Sequence, residues 1–164
     1  MAAASQSLSH KNFPFGTPPM HSAEPEPVRI LSISACAEDH AILRRLLRGR
    51  SCRIESADSC EKALQRLRKC QVSIVICDCT LPDGTWHNML DHLDCCVARP
   101  LFIVISSLTT AGLWGEVLNL GAFDVIAKPF DRQEVRYVLG TAYLHILHVR
   151  ARAAVRALSP RETD

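Results

Sequence analysis

From residue 28 onward the chain alternates between two hydrophobic periods, and this alternation constrains its fold more than any other feature. Short runs rich in apolar and β-branched residues, at 29–33, 52–56, 72–77, 101–105 and 125–127, read as strands. Between them lie helical patterns at 39–47, 60–69, 84–93 and 114–120, and a last one opens at Asp131. Asp131 is a good N-cap, with Glu134 three residues later as in a capping box. No hairpin signal joins any two strands, so they must run parallel through crossover connections. The expected architecture is α/β: a doubly wound, five-stranded parallel sheet with right-handed crossovers and helices on both faces. No tandem repeat is visible beyond this rhythm.

The 164 residues suffice for one domain with a real core and are too few for two of ordinary size. Residues 1–27 mix Ser, Pro, Gly and Ala without an apolar period and are expected to be a disordered lead. The domain should then span 28–147, with a helical extension and tail over 148–164. Lys and Arg number 19 against 17 Asp and Glu, a formal charge of +2, which gives no electrostatic case for nucleic acid or an anionic membrane. No apolar stretch approaches the ~20 residues needed to span a bilayer and no secretory leader is evident, so a cytoplasmic location is expected. The eight cysteines form no Cys-x-x-Cys pair. Buried reduced thiols are expected, because zinc on Cys36, Cys77 and Cys79 would require converging loops and a fourth ligand.

The last helical pattern continues through Ala151, Ala154, Val155 and Leu158 to a break at Pro160. That stripe suggests a homodimer. Arg150, Arg152, Arg156 and Arg161 could face an acidic partner, but cations at a helix C-terminus also offset the macrodipole, and a solvated face is the simpler reading. His145 and His148 have helical spacing without a carboxylate partner and read as surface residues.

Chemistry gathers at three strand ends. Asp78 closes the third apolar run and enters the turn-rich segment Cys79-Thr80-Leu81-Pro82-Asp83-Gly84; Ser106 closes the fourth; Lys128 follows the fifth and precedes Pro129. A parallel sheet brings all three to one rim, where open α/β sheets place ligands. A carboxylate nucleophile with a hydroxyl and a cation suits phosphoryl transfer. No glycine-rich phosphate loop and no other set of nucleophile, base and orienting group is present, which argues against an enzyme. No helix-turn-helix or basic region is seen either, which argues against a nucleic-acid partner.

The segments Asp78 to Gly84 and Gly121-Ala122-Phe123-Asp124-Val125-Ile126-Ala127-Lys128-Pro129-Phe130, with the spacing between them, resemble the receiver domain of two-component response regulators, the CheY-like branch of the flavodoxin-like folds. In that family the proline after the lysine is typically cis. The resemblance covers about residues 28–147. It implies that Asp78 is the phosphoacceptor, that Ser106 and Lys128 contact the phosphoryl group, and that Mg²⁺ takes part through Asp78 and the Thr80 backbone. It also implies phosphorelay signalling, with a sensor histidine kinase or phosphotransfer protein upstream and a downstream protein target.

Two positions depart from the family pattern. Receivers carry an acidic pair at the end of the first strand, and alignment of the following helix puts Ser34 and Ala35 there. Mg²⁺ affinity should fall, since a hard cation wants anionic oxygens. Glu38 and Asp39 could substitute only through a shifted register; otherwise Asp39 is expected to cap the helix. The switch position, usually aromatic, is Val125, whose β-branched side chain is stiff. These departures favour an alternative, a pseudo-receiver that binds a partner without phosphate and in which Asp78 and Lys128 form a structural ion pair. Trp86 and Trp114 could form an exposed partner surface, though one packing against the other's helix is the simpler expectation.

Overall fold

Strand residues alternate faces, so each of the five apolar runs must supply two different cores. The computed structural model, which describes residues 26–94 and 98–158, has this arrangement. Strands β1 (Val28–Ile33), β2 (Cys52–Ala57), β3 (Ile74–Asp78), β6 (Leu101–Ser106) and β7 (Asp124–Ala127) form one sheet in the order β2-β1-β3-β6-β7. Every pairing in it is parallel. On one side Leu31, Val75, Cys77, Phe102, Val104 and Val125 pack with Ala63, Met89, Leu93 and Val117. Those last four come from helices α2 (Cys60–Lys69), α3 (Trp86–Asp94) and α4 (Ala111–Asn119). On the other side Ile30, Ile74, Ile76, Ile103, Ile105 and Ile126 pack against Leu43 and Val138 of α1 (Ala37–Leu46) and α5 (Arg132–Leu158). The sequence at 1–25 lies outside the described residues, as does the break at Pro160.

Several boundaries differ from the sequence expectation for local reasons. Helix α4 opens at Ala111 because the Thr110 hydroxyl accepts the Leu113 N–H. Helix α3 opens at Trp86 rather than Gly84, since Thr80–Leu81 and Gly84–Thr85 pair as the two short antiparallel strands β4 and β5. Asp83, at the turn between β4 and β5, accepts the N–H groups of Cys60 and Glu61 at 2.8 and 2.9 Å and so ties this loop to the start of α2. Asp131 caps α5 as expected, but Glu134 turns away and accepts the N–H of Ala127, so the box does not close. Helix α5 is 27 residues long, about 40 Å. Arg150, on its outer half, donates to the Glu26 carbonyl and the Ser73 hydroxyl. Both tryptophans pack into the domain: Trp86 is 3 % exposed, and Trp114 lies against the same cluster.

Candidate functional site

The strand ends converge as parallel pairing requires, but face parity sorts them. Asp78 lies in phase with Ile74 and Ile76, toward α1 and α5, whereas Ser106 lies in phase with Phe102 and Val104, toward the opposite layer. Lys128 follows β7, and its peptide bond to Pro129 is cis. Its Nζ lies 2.6 Å from Asp78 Oδ2. Ser106 joins neither group: its hydroxyl bonds the backbone of Leu108 at 3.1 and 3.3 Å and lies near the Cys79 thiol. Val125 is fully buried under α4. Thr80 is exposed at the start of β4.

The residue that the sequence reading misplaced is Asp39. It does not cap α1; Cys36 holds the N-cap position and makes no side-chain cap bond. Asp39 sits in the first turn of the helix with its side chain 9 % exposed, and its Oδ2 lies 3.1 Å from Lys128 Nζ. One ammonium therefore bridges two carboxylates that are far apart in sequence. No register shift is needed. Ser34 and Ala35 follow β1 in the expected register, and the helix itself reaches back into the site. The signal was available in the sequence: stepping back from the apolar Leu43 by three and four residues lands on His40 and Asp39, two polar residues on the buried stripe of α1.

Ser34 links these groups. Its hydroxyl donates to Asp39 Oδ2 at 2.7 Å, with Asp78 Oδ2 as a longer alternative at 3.3 Å, and it accepts the Cys36 N–H. Its carbonyl lies 3.0 Å from His40 Nε2, and His40 Nδ1 lies 2.8 Å from the Ser32 hydroxyl. A carbonyl can only accept, so Nε2 carries the proton and Nδ1 accepts from Ser32 in the neutral ring. Ser32, Ser34, Asp39 and His40 are all buried. Burial alone would pull the Lys128 pKa down, but hydrogen bonds and charge from Asp78 and Asp39 outweigh it and hold the ammonium above its ordinary value.

The donors fit a small divalent ion. Two carboxylates face one ammonium, leaving a net negative charge, and Mg²⁺ commonly takes one or two carboxylates from a protein and keeps waters for the rest. Among the described residues no third His, Cys, Asp or Glu joins them. Cysteine chemistry is muted here: burial drives the Cys77 thiol far above its usual pKa and also raises that of Cys79. The six described cysteines are free thiols, with Cys36 exposed and Cys77 buried; Cys95 and Cys96 lie outside the described residues.

Comparison with known proteins decides the family. The sequence profile of the response regulator receiver domain matches residues 35–139, more than half of the chain. The chain belongs to the response regulator receiver family. The receiver is 25% identical over 120 residues to the transcriptional regulatory protein ZraR of Klebsiella oxytoca, covering 73% of this chain and 27% of that protein. It is 26% identical over 125 residues to the two-component response regulator ARR6 of Arabidopsis thaliana, covering 68% and 67%. Against ZraR, then, the chain spans about a quarter of the relative's length. Among solved structures, the signal receiver domain of an HD domain-containing protein from Pseudomonas fluorescens Pf-5 superimposes with a TM-score of 0.70 at 23% identity, covering 78% of this receiver and 95% of that chain. The chemotaxis response regulator CheY4 of Vibrio cholerae gives 0.65 at 16%, covering 71% and 98%. These neighbours share the five-stranded doubly wound fold. No described helix is long and apolar enough to cross a membrane.

Proposed function

We propose that this receiver accepts a phosphoryl group on Asp78 and passes the signal on through protein contacts. The observation that carries the reading is the Lys128–Asp78 contact of 2.6 Å at the carboxyl rim of the sheet. Among the described residues, every side-chain hydrogen bond to Asp78 falls on Oδ2, which leaves Oδ1 to attack phosphorus. Oδ1 forms the new O–P bond as the N–P bond of a phosphohistidine donor breaks and the imidazole leaves. Lys128 then turns to the phosphoryl oxygens, and Ser106, after a rotation away from Leu108, supplies a hydroxyl. Asp78, Asp39 and the Thr80 backbone would hold Mg²⁺, which when bound would supply positive charge to the transferring group. The chain acts as a signalling module in the cytoplasm rather than as an enzyme. Its partners are a sensor histidine kinase or phosphotransfer protein and a downstream protein, and the stripe on α5 supports a homodimer.

Intact mass after incubation with acetyl phosphate, with and without Mg²⁺ and beside Asp78→Asn, tests this. One phosphoryl adduct that requires both Asp78 and Mg²⁺ is the expected result. A second reading rests on Ala35, which supplies no carboxylate, and on the Lys128 bridge that already occupies both acids. In that reading the chain is a pseudo-receiver, a binding module whose ion cluster is structural. No adduct, while a standard receiver reacts in parallel, selects it.

A further inference from the structure

We propose that Asp39 is a positioning residue of this site: from the first turn of α1 it holds the Lys128 ammonium at the rim, in place of the acidic pair absent from the end of β1. The proposal deepens the phosphoacceptor reading and rests on it for its functional consequence, but the grip on Lys128 stands apart from phosphorylation. Before transfer, Lys128 has two anionic partners, Asp78 at 2.6 Å and Asp39 at 3.1 Å. Once Asp78 becomes an acyl phosphate its carboxylate charge is gone, and Oδ2 is left a neutral carbonyl oxygen, a weaker partner for Lys128 than the phosphoryl oxygens. Asp39 is unchanged by the reaction. It remains the fixed anion that keeps a long, flexible side chain near the rim instead of in solvent.

The geometry supports a positioned group over an incidental surface contact. Asp39 is 6 % exposed, where an unpaired carboxylate would be costly. Its Oδ2 takes both the lysine and the 2.7 Å bond from Ser34. Ser34 is in turn fixed at its carbonyl by His40, and His40 by Ser32 inside β1. The chain Ser32–His40–Ser34–Asp39–Lys128–Asp78 thus runs unbroken from the strand interior to the acceptor. Leu43 of α1 and Leu47 just past its end, both buried, seat this face of the helix against the sheet, so Asp39 is aimed by a packed element. Glu38, its neighbour in sequence, is exposed and lines none of this chain.

The test separates positioning from mere stability. ¹⁵N relaxation of the Lys128 ammonium, recorded with a chelator present, reports how tightly that group is held. Asp39→Asn should loosen it clearly while Glu38→Gln leaves it as it is, and Ser34→Ala, which keeps every charge, should give an intermediate result. Moving the carboxylate back to the strand end, with Ser34→Asp and Asp39→Ser together, should recover part of the order. Phosphorylation by acetyl phosphate should slow by roughly tenfold or more in Asp39→Asn, as misplacement of a reacting partner does. An equally ordered Lys128 ammonium in Asp39→Asn overturns the proposal. Should Asp39→Asn fail to fold, Ser34→Ala decides: unchanged order there overturns the proposal and loosening supports it. Loosening without any phosphorylation of the unmodified chain sinks the phosphoacceptor reading and leaves the role of Asp39 intact. Phosphorylation with no loosening does the reverse.

Discussion

The two arms of the rim reach the same point by different routes. On the β3 and β7 arm, Asp78 and Lys128 come straight off strand ends, and each position is set by sheet register. On the β1 arm the strand end carries Ser34 and Ala35, and the charge comes instead from Asp39, one helical turn further on. The first arm depends on pairing between strands, the second on the packing of a single helix. A site's charge can therefore be kept while its sequence position moves, provided that the helix face is fixed firmly enough to aim the replacement.

That difference is open to attack by mutation. The largest effect should come from Leu43→Ala, which leaves a cavity beneath α1 and costs about 2–5 kcal/mol in chemical denaturation. Met89→Ala in the opposite layer should cost a similar amount. Only Leu43→Ala should also disorder the Lys128 ammonium; equal disorder in both would erase the distinction between the arms. Next comes Ala35→Asp, which returns a carboxylate to the strand end. Calorimetric titration should show Mg²⁺ affinity rising about tenfold, close to 1.4 kcal/mol. No rise would show that Asp39 already fills the place.

Smaller effects follow from titration. The N–H groups of Glu61 and Cys60 hold the Asp83 carboxyl below its usual pKa. A depressed carboxylate stabilises above its unfolded value, and that contribution is lost as pH falls through the folded one. Asp83→Asn should therefore lower the thermal midpoint at neutral pH, and the gap should close in acid below the ordinary carboxylate range. Lys128 runs the other way: its raised pKa means a contribution complete below the ordinary lysine value and lost as pH climbs through the raised one. Unfolding from about pH 9 to 12 should reveal this loss in the native chain, and Lys128→Arg, which stays charged, should flatten it.

The fold was legible because period and face coincide: 30 and 31, 74 and 75, and 102 and 103 each split between the two cores as alternation demands. The Lys128–Asp78 pair was legible from strand ends alone. Ser106 was harder, because a shared rim does not mean a shared face, and one residue of parity turned its hydroxyl toward Leu108. Asp39 was read as a cap because an acidic residue near a helix start satisfies the capping rule. Only the helical phase set by Leu43, which buries Asp39, distinguishes a cap from a site residue. Glu134 misled in the same way, its spacing fitting a capping box while Ala127 took its oxygen.

The seating of Trp86 has an optical consequence. Both indoles of this chain belong to the layer of α2, α3 and α4, while the layer of α1 and α5 contains Tyr143 and phenylalanines but no tryptophan. Emission excited at the red edge therefore watches one side of the sheet alone. Tryptophan emission is thus a built-in reporter for that half of the core, and a melt read by it beside far-ultraviolet dichroism, which sees the helices of both faces, shows whether the halves come apart together.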